Sequence, residues 1–225
     1  MIDILLLAVL GLVTWCVASD GAWSAVVTFW CTLIAGLVAM NFFEPLAILL
    51  EGINPFFAYR SDMIALIGLF IATLFALRIG FEQIVKLHVE VVPMAHDALR
   101  WSFALLTGYV TMAFLLTALH TAPLPREFIG FRAERPNLMG VAAPDRQWLG
   151  LTQYVSEHAL TRGGNHAFDT INMKLANYPN EQWASFPIRY ATRRERFSGG
   201  GGVVAAAPAA PVGNPGVAAP TNPGF

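Results

Sequence analysis

Residues 23–43 read WSAVVTFWCTLIAGLVAMNFF, a run of 21 without a single charge, whose polar groups are short hydroxyls and one asparagine. A helix of that length rises about 30 Å, the thickness of a bilayer's hydrocarbon core. A core helix of a soluble protein would carry a polar face once per turn, and this run has none. It predicts a transmembrane helix. Outward from it, the uncharged runs 4–18 and 101–119 read the same way. Residues 63–77 are uncharged up to Arg78, where the helical pattern continues. Four spans are expected; three, with a re-entrant first segment, is the alternative. The first run has the length of a signal peptide and small residues near Ala18-Ser19. However, the chain opens Met1-Ile2-Asp3 and holds no Lys or Arg before Arg60, so the first run is read as a span.

The composition agrees. Of 225 residues, 56% are hydrophobic and 13% charged, against about 45–50% and about 25% in soluble domains. Lys+Arg 14 against Asp+Glu 15 leaves a net charge of -1, which excludes the electrostatic footprint of a nucleic-acid binder. Two cysteines cannot build a disulfide framework or a zinc site. The charge is unevenly spread. Residues 1–120 hold four basic and eight acidic groups, residues 121–198 ten and seven, and residues 199–225 none. Three regions follow: a four-span membrane domain (1–120), a small irregular and α-helical extramembrane module (121–198), and a disordered Gly/Ala/Pro-rich tail (199–225). The fold class expected is an all-α membrane protein.

The joints refine this division. Ser19-Asp20-Gly21 allows only a tight helical hairpin between the first two spans. Glu44-Pro45 is expected to close the second span, and the aromatic-rich stretch from Glu51 to Tyr59 to lie on the membrane surface as an interfacial loop. Pro93 separates spans three and four, with His96-Asp97 as a cap for the fourth helix. In the module, residues 147–160 have the apolar spacing of a short amphipathic helix, and Trp148, Tyr154, Trp183 and Tyr190 are aromatic anchors. At this size a lone core is marginal, so the module needs the membrane or a partner to hold its shape. The tail cannot bury enough surface to offset its ordering entropy.

Ionisable and polar groups at membrane depth are the usual pointers to function, because each is costly to keep there. Arg78 and Glu82 share a helix face four residues apart, as do Glu82 and Lys86, a ladder that lines a polar cavity or simply reaches the interface. Asn41 and Glu44 lie one turn apart near the end of span two. Gly36, with Ala35 and Ala39, and Gly108, with Ala104 and Thr107, permit the close backbone approach by which helices associate in lipid. Arg189, Arg193, Arg194 and Arg196 form a patch suited to anionic lipid or a partner. Cys16 and Cys31 behave as small hydrophobes. Ser156, His158, His166 and Asp169 match neither a ligand template nor the strained turn of a hydrolase nucleophile. There is no P-loop, Rossmann fingerprint or HExxH, and neither catalysis nor a cofactor is expected.

The opening Met1-Ile2-Asp3-Ile4-Leu5-Leu6-Leu7, the hairpin around Gly21, and His96-Asp97-Ala98-Leu99-Arg100 leading to Leu106-Thr107-Gly108-Tyr109-Val110 resemble the colicin V production protein (CvpA) family over residues 1–120. Members of that family look like four-span inner-membrane proteins that begin Ile-Asp and approach the last helix through an Asp-Arg-x-x-Gly type motif. Here Ser19-Asp20-Gly21 keeps the hairpin glycine without the family's arginines, and Asp97 and Arg100 are separated. The resemblance implies a multi-pass bacterial inner-membrane protein linked to export and envelope upkeep, with no established chemistry. It does not extend to residues 121–225.

Four spans place both termini on one side. Arg60, Arg126, Arg132 and Arg135 against Lys86, Arg100 and Arg78 lean toward cytoplasmic termini by the positive-inside count, whereas family-style hairpins place them outside. Long tails translocate largely regardless of charge, so extracytoplasmic termini are expected. The leading functional expectation is an accessory or scaffold protein whose partners are the bilayer, other membrane or envelope proteins, or further copies of itself. The alternative is a small oligomeric channel or transporter with Asn41, Glu44, Arg78 and Glu82 along its path.

Overall fold

A computed structural model of the chain describes residues 2–53, 60–84, 93–125, 128–131, 136–158, 186–187 and 190–191. Among these there are five α-helices and no strand: α1 (Ile2–Ser19), α2 (Ala22–Ile53), α3 (Ser61–Ile84), α4 (Pro93–Thr121) and α5 (Pro144–His158). The first four are long and apolar enough to cross a membrane. Their outer faces carry large apolar side chains such as Ile4, Leu12, Trp15 and Phe75, each more than half exposed. In water such a surface would aggregate; in lipid it is the expected exterior. This is a helical multi-pass membrane domain.

α2 lies along α3 and α1 along α4, and α4 also packs on α2. α4 is central: 50% of its apolar window is buried within the protein, against 17% for α3. Small residues make that centre possible. A Cβ on Gly108 would fall 2.5 Å from the Thr14 hydroxyl and 2.9 Å from the Leu10 carbonyl oxygen, so α1 and α4 meet backbone to backbone there. Between α2, α3 and α4 the core is built on Ala35, Ala39, Met40, Phe43, Leu66 and Phe114. Phe70 and Phe114 stack with ring centroids 4.2 Å apart.

Several boundaries differ from the sequence expectation. Glu44-Pro45 does not close the second span, because α2 runs on through Pro45 to Ile53. Proline forfeits one hydrogen bond, the one an N–H would give the Asn41 carbonyl. Beyond it, Leu46, Ala47 and Leu50 still pack on the core and hold the helix. Glu51 is therefore helical, and its carboxylate accepts a 2.7 Å hydrogen bond from Ser61 that ties the end of α2 to the start of α3. Residues 54–59 of the expected interfacial loop lie outside the described residues. α4 begins at Pro93, where the missing N–H costs nothing. His96 thus sits inside α4 and does not cap it. Its Nε2 accepts from the Ala22 N–H at 3.4 Å and caps α2 across the chain.

After α4 the chain makes two tight turns. Phe128 bridges Phe131, and Leu138 bridges Ala142. Each turn places a left-handed residue before a left-handed glycine: Ile129 (φ 51) with Gly130 (φ 91), and Met139 (φ 52) with Gly140 (φ 70). Such turns favour Asn-Gly, and a side-chain-bearing residue in a sparsely populated backbone region costs on the order of 1–3 kcal/mol. Both turns fasten to the start of α1. The Ile2 N–H donates to the Ile129 carbonyl at 3.1 Å, and the Met139 N–H donates to the Asp3 carboxylate at 2.6 Å.

Candidate functional site

α5 turns back onto the membrane helices, and the junction holds the most deeply buried polar pair among the described residues. His120 closes α4. Pro144 starts α5 in the first-turn position that proline favours, and Asp145 follows it, an acidic residue suited to a helix N-terminus. The His120 Nε2 and the Asp145 Oδ2 lie 2.8 Å apart, and both side chains are 0% exposed. The Phe131 ring meets the His120 imidazole edge-on, with centroids 4.8 Å apart. The second Asp145 oxygen has no hydrogen-bond partner among the described residues, and neither has the buried Trp148 indole N–H.

Three further contacts fasten α5. The Tyr109 hydroxyl donates to the Gln147 side-chain carbonyl. The Trp148 ring lies against Gly36, where a Cβ would come within 2.5 Å of its Cζ2, and meets Phe114 edge-on. Near the other end of α5, the Ser156 hydroxyl donates to the Asn41 side-chain oxygen at 2.9 Å, while the Asn41 amide donates to the Leu37 carbonyl at 2.8 Å. Trp148, Leu149, Phe186 and Tyr190 belong to the same buried cluster as Ala39, Phe43 and Phe114. The described part of 121–198 therefore shares the core of the membrane domain. The amphipathic helix expected over 147–160 is present three residues earlier in its start, as Pro144–His158.

The residues singled out in the sequence fall in different places. Gly36 sits under α5 and Gly108 under α1, both at points of close approach. Asn41 joins the α5 contact, whereas Glu44, one turn on, is exposed. Arg78 is at the opposite end of α2. Its guanidinium donates to the Ser24 hydroxyl at 2.6 Å and to the Thr28 hydroxyl at 3.0 Å, and it pairs with Glu82 at 3.0 Å. Thr28 and Asn41 are 13 residues apart on α2, about 20 Å along its axis. Asn41 and Glu44 thus share one end of the bundle, Arg78 and Glu82 the other. His158 stacks on Tyr154 and is exposed. Arg189, Arg193, Arg194, Arg196, His166, Asp169 and the tail at 199–225 lie outside the described residues. Among those described, no three His, Cys, Asp or Glu side chains gather as a metal cage.

The His120–Asp145 pair was hidden because its members lie 25 positions apart, on either side of the point where the sequence turns from apolar to charged. A histidine in the last turn of an apolar span and an aspartate behind a helix-starting proline were the available signals. A carboxylate facing an imidazole can hold and orient a proton. Packed this deeply, it also fixes how α5 docks.

These features define a helical multi-pass membrane protein with a fifth helix folded onto its bundle. Compared with known proteins, the chain matches no family model, no curated protein and no solved structure.

Proposed function

We propose that this protein is a non-catalytic accessory or scaffold protein of a bacterial inner membrane, linked to export or envelope upkeep. Its bundle holds the segment after α4 in a fixed pose, and other membrane or envelope proteins meet the chain beyond the bundle on the extracytoplasmic side. The observation that supports this reading is the docking of α5: His120–Asp145, Trp148 against Gly36, and Ser156–Asn41 join it to two membrane helices. A rigid platform is what an anchoring role needs. The link to export and the envelope rests on the resemblance of residues 1–120 to the CvpA family. Mild detergent extraction of the full chain followed by co-purification tests the proposal. Stoichiometric membrane or envelope partners are expected, and a monomeric chain that consistently emerges alone contradicts it.

A second reading, a small oligomeric channel or transporter, draws on one observation: the fully buried His120–Asp145 pair at the end of a membrane helix. Solute or proton flux into liposomes that falls when Asp145 becomes Asn would favour it. Absence of flux from the unaltered chain would remove it.

A further inference from the structure

The two strained turns after α4 carry apolar side chains where turn chemistry favours asparagine or glycine. Ile129, Met139 and Val141 are 50%, 64% and 87% exposed, so half or more of each stays uncovered. Their position relative to a bilayer follows from their hydrogen bonds. Ile129 and Met139 are fastened to Ile2 and Asp3, the first described residues of α1. α1 has 18 residues, about 27 Å of helix, so it spans a hydrocarbon core of about 30 Å only if its ends lie at the two interfaces. Immediately inward of that end, Ile4 and Leu5 are 74% and 58% exposed and face lipid. The apolar turn tips thus sit beside the end of α1, at the depth where headgroups meet acyl chains.

We propose that the two turns form a membrane foot: Ile129, Met139 and Val141 enter the headgroup–acyl boundary on the face of the bilayer where α1 begins. Charge is not the driving term. Arg126, Arg132 and Arg135 flank the first turn in the sequence, but Glu127 and Glu134 offset two of the three. Insertion of apolar side chains into a zwitterionic interface suffices, as it does for helices that lie on membranes. The foot would fix the level of the bundle in the bilayer and hold the two turns on the membrane. In that pose α5 is delivered to the end of the bundle where Asn41 and His120 wait for it.

Site-directed spin labelling of the full chain tests this. In a Cys16→Ala, Cys31→Ala background, single cysteines at positions 129, 139 and 141 are labelled separately, so that failure of one variant to fold leaves the others readable. Labels at position 4, facing lipid, and at exposed Arg146 serve as references. In vesicles of phosphatidylcholine alone, collisions with oxygen should exceed collisions with a water-soluble nickel chelate at positions 129, 139 and 141, as at position 4. Nickel accessibility equal to that at position 146 overturns the proposal. Shielding from both reagents overturns it too, because the tips would then be covered by protein.

Discussion

At Gly36 a Cβ atom would lie 2.5 Å from Cζ2 and 2.7 Å from Cη2 of Trp148, part of a ring that cannot bend away. Gly36→Ala should therefore destabilise the protein by about 1–3 kcal/mol, the usual cost of overpacking. Gly11→Ala, with nothing within 4 Å of its added methyl, should not. Thermal unfolding in detergent compares the two. His120 and Asp145 present the opposite case, a contact whose loss strands its partner. Changing either to leucine leaves the other buried, which should cost about 3–5 kcal/mol, and changing both should recover much of that loss. A double-mutant cycle in the same unfolding assay reads the coupling; additive losses would mean that the two side chains do not depend on each other. The sequence marks Gly36 and Gly108 as points of close backbone approach; the neighbour at Gly108 is the Leu10 backbone, whereas at Gly36 it is the Trp148 ring. The partner of His120 was not legible. Nothing local marks which distant carboxylate an imidazole will meet once the chain folds back.

Helix α2 has 32 residues, about 48 Å of helix, more than a bilayer core of about 30 Å requires. It must tilt or emerge, and its two ends are held differently. Near its start, Arg78 on α3 reaches Ser24 and Thr28 with both terminal nitrogens. A lysine has the charge but not the planar fork, so Arg78→Lys should lose about 1–3 kcal/mol of stability. Glu82 is 61% exposed, so Glu82→Gln should change stability by less than about 1 kcal/mol. Equal losses in the two variants would mean that the ion pair, and not the link to α2, is what Arg78 contributes. The four spans were legible because uncharged runs of this length have one stable setting. Their ends were not. Hydropathy registers where apolar residues stop, whereas α2 continues past Pro45 on the strength of Leu46, Ala47 and Leu50, and α4 starts well before its apolar run because Pro93 suits a first turn.

Taken as a whole molecule, the chain joins what its composition separates. Charge rises sharply after His120, and that change was the ground for a distinct module over 121–198. α5, Phe186 and Tyr190 nevertheless bury themselves against α2 and α4. Composition reports which residues tolerate water and not which surface they will cover, and nothing in it pairs Trp148 with Gly36. Among the described residues, the lipid-facing helices, the docked fifth helix and the turns fastened to α1 pack together through three buried clusters, with α4 contributing to each. The most direct test of that claim is a cross-link between α5 and α2 in membranes. With Cys16 and Cys31 replaced by alanine, Asn41→Cys and Ser156→Cys place two thiols where the side chains now share a 2.9 Å hydrogen bond. Mild oxidation of membranes holding this variant should give an intramolecular disulfide, seen as a reducible shift in gel mobility. Failure to cross-link, with position 156 freely alkylated by a water-soluble maleimide, would contradict the docked helix and leave residues 144–158 as a separate module.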